Sequence, residues 1–304
     1  MWPTKRVERT ETGSKYQIME TTKTKWRRER VELYERLECS AEYGLDREAV
    51  LATRELFDFD ASGRAIPKKF TFQNEDDAVR VVCAEIPQLT AQQWGNITQD
   101  VLNALHGTAT ENGDVVETEL KDVYVSDLDI MHVTLFYTSH PDDLAPRRAD
   151  EHKSERLSRE ISLLHQLSSQ FKPIWLAPVK VVLASSGAIL VLFQCVQGDK
   201  DHKVKNAASN AEFGVDLLRQ AAQKTFPFVS KKSPKLIIHS TLARLISPDA
   251  FDEAALTRVC EACQRISQQL VNTATPFVVN KLWYVDESHF IRPTGHTTTV
   301  PLGC

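Results

Sequence analysis

Apolar and polar positions along this chain switch repeatedly between the period of a strand and that of a helix. Residues 79–86 (Val-Arg-Val-Val-Cys-Ala-Glu-Ile) are a β-rich run stopped by Pro87 and predict a core strand. Thr90 then stands where a helix cap belongs, and Trp94, Ile97, Val101, Leu102 and Leu105 follow at helical spacing up to Gly107. After a polar loop, residues 129–137 predict a second core strand. A charged segment opened by Pro141 leads into a helix that ends near Phe171. Residues 174–183 and 188–196 flank Ser185-Ser186-Gly187 and predict a hairpin. A polar loop over 198–206, a helix over about 210–224 and a strand over 235–243 come next. A helix over about 248–271, with Ile266 and Leu270 on one face, and a late strand over 277–285 complete the series. Short strands and helices mixed with a hairpin predict an α+β fold of antiparallel sheets, not a doubly wound parallel sheet.

The beginning of the chain is different. Its first 30 residues are polar and basic, with Trp26-Arg27-Arg28 near their end, and are expected to be disordered at the start. A helix over about 24–56 follows, weakly patterned by Leu33, Tyr34 and Leu37 and broken near Tyr43-Gly44. Residues 57–69 contain Gly63 and Pro67 and read as a linker. This divides the chain into a basic, helical extension (1–69) and a domain (70–304).

Composition narrows the class. The chain has 304 residues, 42% hydrophobic and 26% charged, enough for one large domain or two modest ones. A net charge of -4 argues against a general nucleic-acid coat and leaves room for a local basic patch. Cys39, Cys83, Cys195, Cys260, Cys263 and Cys304 are too sparse for a disulfide framework. The first residues show no apolar signal region. The longest apolar stretch, 179–196, is interrupted by Lys180 and by Ser185-Ser186-Gly187, so no membrane span is expected. These features place the chain in a reducing compartment, cytoplasm or nucleus, where the Asn96-Ile97-Thr98 sequon would stand idle.

The chemistry is carried by histidine. The form His-x-Ser/Thr occurs at five of nine histidines, so by itself it is weak. His106 stands at a helix end, His152 in a charged helical segment and His296 in a short tail. Only His132-Val133-Thr134-Leu135 and His239-Ser240-Thr241-Leu242 follow an apolar run, carry the threonine and end in leucine. In a strand, positions i and i+2 share a face, so each would present an imidazole beside a hydroxyl. Two such strands brought together give the groups a phosphodiester needs. One histidine takes a proton, the other gives one, and the hydroxyls bond the non-bridging oxygens.

This pair resembles the signature of the 2H phosphoesterase superfamily, the group of LigT-like RNA 2′,3′-cyclic phosphodiesterases and related proteins. Motif placement and element order carry the resemblance from about residue 79 to the C-terminus. The run Ile238-His239-Ser240-Thr241-Leu242-Ala243-Arg244 is similar to an uncharacterised eukaryotic branch described loosely as RNA ligase or cyclic nucleotide phosphodiesterase. The resemblance implies a bilobal α+β fold with outer helices and a central cleft. It also implies hydrolysis of a nucleotide or RNA phosphodiester without metal or cofactor. The substrate would be a cyclic nucleotide, an RNA end, a 2′,5′-linkage or an ADP-ribose cyclic phosphate. The other readings are a nucleotide- or RNA-binding module without turnover, and an interaction protein that docks a partner through residues 1–69. In the last case, removing that extension should spare any phosphodiesterase activity. A monomer is expected.

Further residues bear on the site. Phe136 shares the His132 face by strict alternation, and Tyr137 is a second aromatic able to stack on a base, as is the pair Trp283-Tyr284. Arg244 can attract phosphate, although alternation places it opposite His239 unless the strand ends or bulges first. Lys231, Lys232 and Lys235 read as solvated surface. Cys260-Glu261-Ala262-Cys263 has no second pair and reads as helix packing, not a metal site. Asp58-Phe59-Asp60-Ala61-Ser62-Gly63 resembles the start of a calcium loop, but Lys69 stands where the closing glutamate would be, so a turn is expected. The basic stretch 23–30 around Trp26 suits a calmodulin-like partner.

Overall fold

The computed structural model describes residues 12–107, 121–146, 151–197, 210–273 and 275–303. The polar stretches expected as loops fall largely outside these residues, as do the first eleven residues and Cys304.

Two antiparallel sheets form the frame. The first has four strands in the order β11 (Gly295–Pro301), β10 (Lys281–Glu287), β3 (Val79–Glu85), β5 (His132–Ser139). The second has five, in the order β4 (Val123–Val125), β8 (His239–Leu245), β7 (Ala188–Val196), β6 (Ile174–Leu183), β9 (Phe277–Val279). Edge strand β5 lies against β8, and there the two lobes meet. Helices α3 (Gln88–His106) and α6 (Glu253–Thr273) pack on the outer face of the second sheet, and α4 (Lys153–Ser168) and α5 (Gly214–Thr225) on the first. This is the α+β, two-sheet arrangement with outer helices and a central cleft that the 2H phosphoesterase resemblance implies. Among the described residues no helix is long and apolar enough to cross a membrane.

Local sequence explains the best-defined elements. Helix α3 stops at Gly107, whose φ of 68° belongs to the left-handed conformation that glycine adopts without strain. The β6–β7 hairpin turns at Gly187, with φ 81°. A Cβ there would come within 2.4 Å of the Leu245 carbonyl oxygen, because the turn hydrogen-bonds the end of β8. Strand β7 is almost continuously buried, as an interior position requires, whereas β6 alternates buried and half-buried residues until its last three. Cys263 packs in the core of α6, with Cys260 against it.

Three expectations need correction. The basic start is not disordered over residues 12–30: helix α1 runs Thr12–Cys39 and a second helix, α2 (Arg47–Arg54), follows the break at Gly44. Its polar face finds distant partners, Arg30 on Asp216 and Trp26 on Phe213, so tertiary contacts order a segment whose own pattern is weak. Residues 57–69 are not an open linker. They contain the hairpin β1 (Phe57–Phe59) and β2 (Ala65–Pro67), held because Phe57 packs on Tyr124 with ring centroids 4.9 Å apart. The Asp60 carboxylate accepts from the backbone N–H groups of Ser62 and Arg64, the turn expected in place of a calcium loop. Finally, residues 295–301 are a paired edge strand, not a tail; Thr297 and Thr299 are exposed, Thr298 is half-buried and Val300 is buried.

Candidate active site

Strand β5 begins at His132 and β8 at His239. Cross-strand register fixes which side chains share a face. On β5, His132, Thr134 and Tyr137 stand opposite Glu85, Cys83 and Val81; Leu135 has no partner and forms a bulge. On β8, His239, Thr241 and Arg244 stand opposite Leu192, Leu190 and Ala188, and Leu242 is the unpaired residue. A bulge inserts one residue and reverses the alternation beyond it. Each motif strand therefore presents positions 1, 3 and 6 to the same side.

That side is a cleft of about 310 Å³ between the sheets, within the range of small-ligand pockets. His132, Thr134, Tyr137, His239, Thr241 and Arg244 all line it. Phe136 does not. The bulge at Leu135 turns it into the core, 1% exposed, with its ring centroid 5.4 Å from that of Phe226. Arg244, which simple alternation would have sent to the opposite face, is brought beside His239 by the bulge at Leu242. Trp283 and Tyr284 lie off the cleft, Tyr284 fully buried and bonded to Glu160. Lys231, Lys232 and Lys235 also lie outside it.

The electrostatics of the two histidines differ in detail. His132 Nδ1 lies 3.0 Å from the Ile130 carbonyl, an acceptor only, so Nδ1 carries the proton and Nε2 is left for substrate. Burial pulls the His132 imidazole down to about 4, and the Ile130 bond opposes that shift. His239 makes no hydrogen bond with any described residue. Burial, then the charges of Arg244 and Arg219, and the nearby His132 ring pull it down to about 3. Arg244 is largely enclosed and forms no ion pair or hydrogen bond with a described residue; its Nε is buried without an acceptor. An enclosed guanidinium without a counter-ion is costly, and an anion in the cleft would relieve it.

Other lining residues carried no signal in the sequence. Glu287 faces the cleft, and burial together with Asp286 pushes its carboxyl up to about 8. His140 sits edge-on to Tyr137, with centroids 4.9 Å apart. Arg292 is paired with Asp127 at 2.9 Å, unlike Arg244. Ile291 has φ 68°, a conformation that a β-branched residue adopts only under strain. The surrounding turn is held over the cleft by Phe290 N–H donating to the Lys68 carbonyl and Phe70 N–H donating to the Ser288 carbonyl, both 2.9 Å. Leu56 and Phe70, from the expected extension and its junction, are also part of the wall. Among the described residues no cluster of histidine, cysteine and carboxylate side chains suits a metal ion.

No protein-family model matches the sequence, and no curated protein matches it. Solved structures do. The conserved protein of unknown function ATU0111 from Agrobacterium tumefaciens str. C58 superposes with a TM-score of 0.52 at 13% identity, covering 81% of this chain and 90% of that one. The two chains share a fold. Usb1 of Kluyveromyces marxianus gives a TM-score of 0.41 at 10% identity over 74% of this chain and 97% of its own. E. coli LigT complexed with 3′-AMP gives 0.33 at 12% identity over 74% and 95%.

Proposed function

We propose that this chain is a 2H-type phosphoesterase that hydrolyses a phosphodiester of a nucleotide or RNA end by acid–base catalysis between His132 and His239. The observation that carries the reading is the convergence of two identically bulged His-x-Thr strands on one cleft around the unpaired guanidinium of Arg244. Arg244 and the hydroxyls of Thr134 and Thr241 hold the non-bridging oxygens and stabilise the charge that builds on them. Burial favours the neutral form of both imidazoles, and a bound phosphate anion raises their proton affinity. His132 takes that proton first, because the Ile130 carbonyl stabilises its charged ring. In hydrolysis of a cyclic phosphate, His239 then accepts the proton of the attacking water, the new P–O bond forms, and His132 protonates the departing ribose oxygen. The residues supply every proton transfer, so no metal or cofactor enters the scheme.

A product assay on 2′,3′-cyclic nucleotides, cyclic-phosphate RNA ends, 2′,5′-linked oligonucleotides and 3′-oligouridine RNA tests this. We expect turnover of at least one substrate, unaffected by EDTA. Absence of product from the whole panel, a strict metal requirement, or full activity in both His132→Ala and His239→Ala would overturn it. Ligand binding without any product would favour the non-catalytic module instead.

A further inference from the structure

We infer that the N-terminal helix α1 is a positioning element of the cleft, acting through Tyr34 on the His239 strand and through Arg30, Asp216 and Arg219 on both motif strands. The inference rests on the phosphoesterase reading for its kinetic consequence, but its structural content stands apart from it.

Helix α1 covers the same face of the second sheet that carries the site. Tyr34 packs on Val182, Ala188, Leu190 and Leu192, and the last three are the register partners or strand neighbours of Arg244, Thr241 and His239. Its hydroxyl enters the ladder between β7 and β8. It donates to the Phe193 carbonyl at 2.7 Å and accepts from the Ile238 N–H at 3.1 Å. The Phe193 N–H donates directly to the Ile238 carbonyl at 2.8 Å, and the hydroxyl takes the place of the reciprocal bond, bridging the Ile238 N–H to the Phe193 carbonyl at the residue just before His239. Arg30, 7% exposed, donates from Nε to the Leu236 carbonyl at 3.0 Å and pairs through Nη2 with Asp216. The approach to His239 is thus tied to α1 at Leu236 and at Ile238.

The same cluster reaches the other motif. Asp216 lies one helical turn before Arg219 on α5, and its charge supports the buried guanidinium. Arg219 donates to the Leu135 carbonyl at 2.8 Å and to the Thr134 carbonyl at 2.9 Å. Leu135 is the bulged residue that turns Tyr137 toward the cleft. Arg30 at the approach to β8 and Arg219 at the bulge of β5 thus belong to one buried charge cluster between α1 and α5, Arg30 bonded to Asp216 and Arg219 beside it through charge. Residues that the sequence assigns to a detachable extension act on the geometry of the site.

Misplacement of a reacting group by about 1 Å can cost about 100-fold in rate. In the full-length chain, Tyr34→Phe keeps the packing and removes both hydroxyl bonds. We expect kcat on the substrate found by the panel to fall about tenfold or more, KM to stay within about twofold, and the His239 ring Cε1–H resonance to shift while that of His132 stays. Arg219→Lys should move the His132 resonance instead and lower kcat similarly. A folded Tyr34→Phe with unchanged kcat and an unchanged His239 resonance overturns the inference. So does an equal fall in stability and kcat/KM with both resonances in place, which would mark a structural role only. Should Tyr34→Phe fail to fold, Arg219→Lys decides by the same readings. If the wild-type chain turns over nothing, the phosphoesterase reading fails, and the two resonances still test the positioning.

Discussion

The two motif strands make an instructive pair. β5 and β8 expose and bury the same positions in the same order, from histidine through threonine to the residue after the bulge. Yet β5 is the edge of its sheet and β8 lies inside its own. The sixth position is a phenol on one, Tyr137, and a guanidinium on the other, Arg244. His132 is fixed by a backbone carbonyl, whereas His239 lacks such a bond and feels two cationic neighbours. A shared backbone device has thus been given unequal charge. In the proposed reaction the β8 half attracts the phosphate and keeps its histidine unprotonated, and the β5 half holds the histidine better suited to carry a proton.

The largest effects should come from the histidines. His132→Ala and His239→Ala should each lower kcat about 10²- to 10⁴-fold, the range of general acid–base contributions, with the fold retained by circular dichroism. The double variant should lose little more than either single one, since the two act as a unit. Effects that simply multiply would break the pairing. Next, Arg244→Ala should lower kcat/KM by about 10²-fold or more, as loss of a group that stabilises transition-state charge does. Tyr137→Phe should cost only a few-fold. Equal losses at these two positions would refute the division of charge between the strands.

Effects on stability are smaller and depend on pH. Both imidazoles have their affinity for protons pulled below the unfolded value of 6.5, to about 4 and about 3. Their neutral forms support the fold fully above that value, and the support is lost as pH falls through 6.5 toward 4 and 3. The melting temperature should drop over this window, and His239→Gln should flatten the fall, His132→Gln less so. Phosphate, tested as a ligand, should bind with proton uptake near neutral pH, measurable by calorimetry in two buffers. Glu287 has the opposite sign. Its carboxyl, raised to about 8, favours the fold at low pH, and that contribution fades as pH rises from 4.5 to 8. Glu287→Gln should remove this slope and slightly raise the melting temperature at alkaline pH.

Much of the frame was legible because burial leaves a mark on neighbouring residues. The hairpin around Gly187 announces itself by two apolar runs and a turn glycine, and α3 by spacing and Gly107. The short strand β4 and the threonine-rich β11 leave little trace, since three residues or a mostly solvated edge need few apolar side chains. The first half of helix α1 leaves little trace for a related reason. Asp216 and Phe213, which hold its basic face, lie far along the chain.

The site divides the same way. The sequence by itself determined that His132 and Thr134, and His239 and Thr241, share a face in pairs, because a strand repeats every two residues. The same period puts Phe136 on the His132 face and Arg244 opposite His239, and the structure reverses both and turns Tyr137 to the cleft. Only the tertiary structure decided that, through bulges at Leu135 and Leu242 that arise from how each strand pairs with its neighbour. Pairing is a property of two strands at once, so no period within one of them can reveal it.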